Sequence, residues 1–164
     1  MQNNGYSRTE GQTGVSAEPG INPCAQRILV VDDDSDLRQL STATLAGSGY
    51  HVDAAEDGAA GWEALNANSY DLLITDHYMP RLSGIDLIKK LRSARMAVPI
   101  ILSSGVMSGQ KLEPPLVAAL PKPFTLDQLL GTVRQVLRAS EIDRERGDPS
   151  QIRPSPPSAD GYRL

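Results

Sequence analysis

Three acids and a lysine follow short apolar runs in this 164-residue sequence, and they are the side chains best suited to chemistry. Asp32 and Asp33 close one run, Asp76 closes another, and Lys122 stands between two prolines after a third. Carboxylates that are brought together repel one another unless a cation joins them. Mg²⁺ prefers oxygen ligands and often binds phosphate oxygens as well. Gathered in one place, these residues would form a magnesium site that handles phosphate.

Elements that could position these residues alternate along the chain. Apolar, β-branched runs predict buried strands, and a capping residue followed by apolar residues at helical spacing predicts each helix. The predicted strands lie at 27–31, 50–54, 71–75, 100–103 and 117–120; the helices follow Asp34 or Ser35, Asp57, Ser83, and the Thr125–Gln128 capping box.

Such alternation indicates a parallel sheet with helices on both faces. Ligands bind to these sheets outside the carboxyl ends of the strands. Asp32, Asp33, Asp76, Ser104 and Lys122 all fall at such ends, so one edge of one sheet could present them together. Singly, each has a structural explanation as a turn residue, a helix cap or a surface charge.

Composition excludes several classes of protein. The net charge of −4 and the pI of about 5.1 argue against a nucleic-acid-binding surface, which needs a basic patch. The cluster of Lys89, Lys90 and Arg92 is typical of a solvated helix face. Cys24 is the only cysteine, which rules out a disulfide within the chain. The sequence has no run of 18 apolar residues and no signal peptide at its start, so we expect a cytoplasmic protein without membrane insertion.

Two segments lack any apolar periodicity. Residues 1–26 are rich in Gly, Asn, Ser and Thr, and residues 141–164 are charged and then Pro-rich, so both are predicted to be disordered tails. One folded domain is predicted over residues 27–140. Because the second tail is too short for an output domain, we expect a single-domain protein.

The motifs at the predicted strand ends resemble those of the receiver domain of response regulators, which act in two-component phosphorelays. The resemblance covers about residues 27–140. The matching motifs are Val30-Val31-Asp32-Asp33-Asp34, Asp76-x-x-Met79-Pro80-x-x-x-Gly84, Ser104-Gly105 and Lys122-Pro123-Phe124. The resemblance implies a flavodoxin-like, doubly wound parallel sheet of five strands in the order 2-1-3-4-5.

The resemblance also implies a role for each residue of the set. Asp76 would accept a phosphoryl group from a histidine kinase or a histidine phosphotransfer protein. Asp33, Asp76 and the backbone carbonyl of Tyr78 would ligate Mg²⁺, and Asp32 would act largely through metal-bound water. Lys122, the Ser104 hydroxyl and the Gly105 amide would contact phosphoryl oxygens. No enzymatic turnover is expected beyond self-catalysed phosphoryl transfer and slow autodephosphorylation.

The sequence departs from the family pattern in the parts that carry the signal outward. Ala119 stands where the family usually has the aromatic switch residue. Only 18 positions separate Ser104 from Lys122, with Pro114-Pro115 between them, so the fourth helix is predicted to be shortened or missing. Tyr78 and Val106, two residues after the acceptor and the hydroxyl, cannot readily orient an attacking water. They predict slow loss of the phosphoryl group.

Two other functions fit parts of the pattern. A haloacid dehalogenase-like phosphatase would use Asp32 as nucleophile and Asp34 as acid/base. It would need a further acidic pair after Lys122, and it leaves the motif at Asp76 unexplained. A pseudo-receiver would fold in the same way but act only as an unphosphorylated binding module. For a phosphorylated receiver, the output would run through a downstream protein target or through phosphotransfer itself.

Overall fold

The computed structural model describes residues 26–105 and 117–145. Within these ranges, five strands form one sheet, and four helices pack on its two faces. In chain order these are β1 (Arg27–Val31), α1 (Ser35–Gly47), β2 (His51–Ala55), α2 (Gly58–Ala67), β3 (Leu72–Asp76), α3 (Gly84–Ser93), β4 (Ile100–Ser104), β5 (Val117–Pro121) and α4 (Leu126–Glu145). All neighbouring strands are parallel, in the order β2-β1-β3-β4-β5. The predicted flavodoxin-like sheet and its strand order are confirmed.

The helices begin at the predicted capping residues. The Asp34 carboxylate accepts from the N–H groups of Asp36 and Leu37, and Asp57 accepts from those of Ala59 and Ala60. Such bonds satisfy backbone donors that have no partner within the first turn of a helix.

The two later helices are also capped as expected. Ser83 accepts from the Asp86 N–H at the start of α3. Before α4, Thr125 and Gln128 exchange side-chain-to-backbone bonds of 2.7 and 3.2 Å in a capping box.

The sheet separates two apolar layers, because successive strand residues point to opposite faces. One layer is covered by α1 and α4, and the other by α2 and α3. The first contains Ile28, Val30, Leu45, Leu72, Ile74, Ile101, Leu129, Val133 and Leu137. The second contains Leu29, Val31, Leu65, Leu73, Leu87, Leu91, Ile100 and Leu102. Packing on both faces explains why β1, β3 and β4 are almost continuously apolar.

The last helix is longer than the predicted domain. Helix α4 ends at Glu145, so residues 141–145 belong to the folded unit rather than to the predicted tail. Two long-range contacts join this end of α4 to the rest of the domain. Gln26 Nε2 donates to Glu141 Oε1 at 2.9 Å, and Arg144 lies 3.6 Å from Asp71. Gln26, which the sequence analysis places in the first tail, is buried directly before β1.

Three sequence predictions fall outside the described residues. They are the rest of the two tails, the shortened or missing helix between β4 and β5, and the position of Val106. Among the helices of the described ranges, none has the length and apolar character needed to cross a membrane.

Candidate metal and phosphoryl site

Four neighbouring strands bring the predicted site residues to one edge of the sheet. Asp32 follows β1, Asp76 ends β3, Ser104 ends β4 and Lys122 follows β5. The strand register pairs Asp76 with Ser103. The ladder between β4 and β5 reaches the same edge, since the Lys122 N–H donates to the Ser104 carbonyl at 2.9 Å. Side chains that are far apart in sequence therefore meet where parallel α/β sheets bind ligands.

Asp32, Asp33 and Asp76, here called the acid cluster, could share one cation. One carboxylate oxygen of each lies within 4.8 Å of those of the other two. Asp32 and Asp76 are only 6% and 8% exposed, whereas Asp33 is open to solvent. A set of carboxylate oxygens with one side facing water suits a hard cation such as Mg²⁺, which retains several of its waters.

Lys122 lies against the acid cluster. Its Nζ is 2.7 Å from Asp76 Oδ1 and 3.2 Å from Asp32 Oδ2. Burial of the ammonium lowers its pKa, but the hydrogen bond to Asp76 and the charges of Asp32 and Asp76 outweigh that effect, so the pKa of Lys122 is raised. The lysine is held as a cation beside Asp76.

Burial changes the proton affinity of Asp32. Burial raises the pKa of its carboxyl group, and the Asp34 N–H and Lys122 oppose that effect only in part. The bond from the Asp34 N–H to Asp32 Oδ1 is 2.9 Å long. Because burial penalises the ionised form, a further cation beside Asp32 would stabilise its carboxylate.

The backbone around Asp76 is tightly packed. The Tyr78 N–H donates to Asp76 Oδ2 at 3.2 Å, and this hydrogen bond holds one oxygen of the carboxylate in place. A Cβ atom at Gly84 would overlap the Asp76 carbonyl, so only glycine fits at this start of α3. The spacing between Asp76 and Gly84 in the motif therefore has a steric cause.

Ser104 lies at the same edge and is 2% exposed. Its hydroxyl oxygen is 3.1 Å from Nδ1 of His77. The His77 N–H also donates to the Ser103 carbonyl at 2.9 Å, which extends the pairing of β3 with β4 by one residue. The sequence prediction did not assign His77 a role. Its position directly after Asp76 pairs laterally with Ser104, a relationship that depends on the register between β3 and β4.

The remaining predicted positions surround this centre. Tyr78 is 67% exposed, and its ring stacks on that of His77 with centroids 4.1 Å apart. Gly105 is exposed at the end of β4, and Ala119 is half-buried within β5. The Lys122–Pro123 peptide bond is cis, an isomer that bonds preceding proline adopt far more readily than other peptide bonds.

A second contact missed by the sequence prediction holds the loop after Asp76. Arg81 has a φ of 64°, and its guanidinium pairs with the buried Asp57 and, at 2.9 Å, with Glu56. A Cβ atom at Gly58 would overlap the Leu82 carbonyl, so the same loop packs directly on the start of α2. These contacts hold the segment between β3 and α3 against the start of α2.

The family comparison agrees with this geometry. The family model of the response regulator receiver domain matches residues 28–134. This chain belongs to the response regulator receiver domain family.

Individual relatives support the same assignment. The response regulator MprA of Mycobacterium ulcerans is 36% identical over 121 residues, which are 71% of this chain and 52% of that protein. The chain thus spans about half the length of this curated relative. The receiver domain of a Francisella response regulator superposes with a TM-score of 0.66 at 30% identity, covering 70% of this chain and 98% of that one. The response regulator TrrA from Thermotoga maritima, solved in complex with Mg²⁺ and BeF, gives 0.60 at 30% identity, with 68% and 98% covered.

Proposed function

We propose that Asp76 accepts a phosphoryl group from a phosphohistidine of a histidine kinase or a histidine phosphotransfer protein. The observation that carries the proposal is the position of Asp76: it is buried, 2.7 Å from the Lys122 ammonium, and part of the acid cluster. A carboxylate that attacks a phosphoryl group must overcome repulsion between negative charges. Lys122 offsets that repulsion at the attacking residue.

The step exchanges one bond for another. An oxygen of the Asp76 carboxylate forms a bond to phosphorus, the bond between phosphorus and the donor imidazole nitrogen breaks, and the imidazole leaves with the electron pair. In this proposal Asp33, Asp76 and the Tyr78 carbonyl would hold Mg²⁺, and Asp32 would act through metal-bound water. When bound, Mg²⁺ supplies positive charge for the phosphoryl oxygens. The relative TrrA was solved in complex with Mg²⁺ and BeF, which supports a cation and a phosphoryl analogue as ligands of this chain.

Lys122, the Ser104 hydroxyl and the Gly105 amide would receive the transferred group. Ser104 and Lys122 are adjacent across the sheet, which supports a shared role. The exposed Tyr78 ring stands two residues after Asp76 and carries no carboxylate or amide that could orient a water. We therefore expect the aspartyl phosphate to be lost slowly, without enzymatic turnover of other substrates.

For the whole protein, we propose a cytoplasmic response regulator. It would signal by passing the phosphoryl group on or by contacting a target protein. The acidic balance of the sequence supports a protein partner over a nucleic acid.

Uptake of label from radiolabelled acetyl phosphate tests the assignment. The full chain with Mg²⁺ should become labelled on one residue, and Asp76→Asn should abolish the label. Labelling that survives Asp76→Asn and disappears in Asp32→Asn would instead support the phosphatase mechanism. If the wild type takes up no label, the result would favour a pseudo-receiver. If the wild type is labelled on Asp76, transfer from a panel of phosphorylated histidine kinases would identify the donor.

A further inference from the structure

His77 has no assigned role, yet its ring occupies a specific position beside the site. Residues His77 and Ser104 each come one step after the registered pair Asp76 and Ser103, so they lie side by side on the same face of the sheet. The 3.1 Å between Nδ1 and the Ser104 oxygen is a hydrogen-bond distance. Ser104 is buried and His77 is half-buried, so the contact is partly protected from solvent.

Several contacts hold the ring where it is. The His77 N–H donates to the Ser103 carbonyl, and the His77 carbonyl accepts from the Gly84 N–H at 3.0 Å. The Tyr78 ring stacks on the imidazole with an angle of 17° between the planes. With the backbone bonded on both sides and one ring face covered, Nδ1 is directed at the serine.

A serine hydroxyl has one hydrogen to donate. If that hydrogen goes to Nδ1 of His77, it is not available to a phosphoryl oxygen on Asp76. We propose that His77 is a positioning residue: its Nδ1 accepts from the Ser104 hydroxyl in the unphosphorylated protein and competes with the phosphoryl group for this donor. The competition rests on the proposed phosphorylation of Asp76, whereas the resting hydrogen bond does not.

The resting bond is tested without any ligand. The sequence has two histidines, so long-range ¹H–¹⁵N NMR spectra of the imidazoles contain two sets of signals, and His51→Gln assigns them. Ser104→Ala should shift the Nδ1 signal of His77 and leave that of the exposed His51 unchanged. Ser104→Thr retains a hydroxyl and should leave the His77 signal near its original position. An Nδ1 signal that does not respond to Ser104→Ala would overturn the proposal.

The competition is tested with beryllofluoride and Mg²⁺ as the phosphoryl analogue, using the full chain. Four proteins form a double-mutant cycle: the wild type, His77→Phe, Ser104→Ala and the double variant. Phenylalanine keeps a ring for Tyr78 to stack on but removes Nδ1. His77→Phe should lower the half-saturating beryllofluoride concentration about two- to tenfold, the range expected for one hydrogen bond. In the Ser104→Ala background, His77→Phe should leave the half-saturating beryllofluoride concentration unchanged.

Each other result has a distinct meaning. An equal effect of His77→Phe in both backgrounds would show that the ring acts through packing, and weaker binding in the wild-type background would show that Nδ1 donates; either outcome overturns the competition. If the wild type and Asp76→Asn respond alike to beryllofluoride, the proposed function fails, and the NMR experiment still decides whether the resting bond exists. Thermal unfolding of His77→Phe checks its fold, and His77→Leu provides a second variant without Nδ1.

Discussion

Lys122 Nζ lies 2.7 Å from Asp76 Oδ1 although 46 positions separate the two residues in the sequence. The contact exists because β5 and β3 flank β4 and all three end at the same edge of the sheet. Lys122 also reaches Asp32 at 3.2 Å, so one ammonium serves two buried carboxylates. Removing this cation would leave the acid cluster without its nearest positive charge.

Lys122→Met should therefore destabilise the metal-free protein. Loss of one partner from a buried ion pair leaves an uncompensated charge, and we expect a cost of about 1 to 3 kcal/mol, reduced from the value for full burial because Lys122 is partly exposed. Urea unfolding measures the change. Added Mg²⁺ should recover part of the loss, because it also neutralises the carboxylates.

Lys89→Met provides the matched control. Lys89 pairs with Asp86 at 3.2 Å on the exposed face of α3, where an ion pair contributes well under about 1 kcal/mol. Equal losses for the two variants would contradict the role assigned to Lys122.

Asp32→Asn should have the opposite effect on stability. Burial raises the pKa of Asp32 in the folded protein, so folding favours the protonated carboxyl group. The stability gained from that preference is fully present below the unfolded pKa and is lost as the pH rises through the folded pKa. At neutral pH the ionised side chain therefore costs stability, and asparagine removes that cost while its side-chain oxygen can still accept from the Asp34 N–H.

Chemical unfolding at several pH values measures this difference. Without metal, Asp32→Asn should be the more stable protein at pH 7, and the advantage should shrink as the pH falls toward the ordinary aspartate range. Its stabilisation by Mg²⁺ should be smaller than that of the wild type. A variant that is less stable than the wild type at pH 7 would show that Asp32 contributes more as a partner of Lys122 than it costs as a buried charge.

The sequence identified those parts of the site that depend on local patterns. The apolar runs predicted the strands, and parallel strands place Asp32, Asp76, Ser104 and Lys122 at one edge whatever their sequence separation. The contact between His77 and Ser104 depends on the register between β3 and β4, which no local pattern specifies. The ion pair of Arg81 with Asp57 depends on a left-handed backbone at Arg81, which is uncommon for a residue other than glycine. The last turns of α4 contact residues far away in the sequence, as Glu141 does with Gln26, and local patterns do not reveal such pairs.

Tyr70 should titrate later than an ordinary tyrosine. Burial, and then the hydrogen bond of 2.7 Å from its hydroxyl to Asp53, raise its pKa from 10.0 to about 12. Because the folded pKa is the higher one, the associated stability is present below pH 10 and is lost as the pH rises from about 10 to about 12.

Absorbance of tyrosinate during an alkaline titration measures this step. The sequence has five tyrosines, and Tyr70→Phe should remove one that ionises with a midpoint near 12. The variant should also lose less stability between pH 10 and 12 than the wild type. If Tyr70→Phe removes a tyrosine that titrates near pH 10, neither the burial of Tyr70 nor its hydrogen bond to Asp53 persists in solution.

Gly84→Ala should damage both the fold and the acceptor. The added Cβ would overlap the Asp76 carbonyl and approach the Thr75 hydroxyl, so β3 and the start of α3 must move apart. Overpacking of this kind costs about 1 to 3 kcal/mol. Since the displaced atoms belong to Asp76 itself, label uptake from acetyl phosphate should fall further than the loss of folded protein explains.

Gly131→Ala is the matched control, because Gly131 lies within α4 with no atom within 4 Å of the new Cβ. This substitution should stabilise the protein by about 0.5 to 1 kcal/mol and leave label uptake unchanged. Labelling of Gly84→Ala at the wild-type rate per folded molecule would show that the backbone at Asp76 can shift without moving its carboxylate.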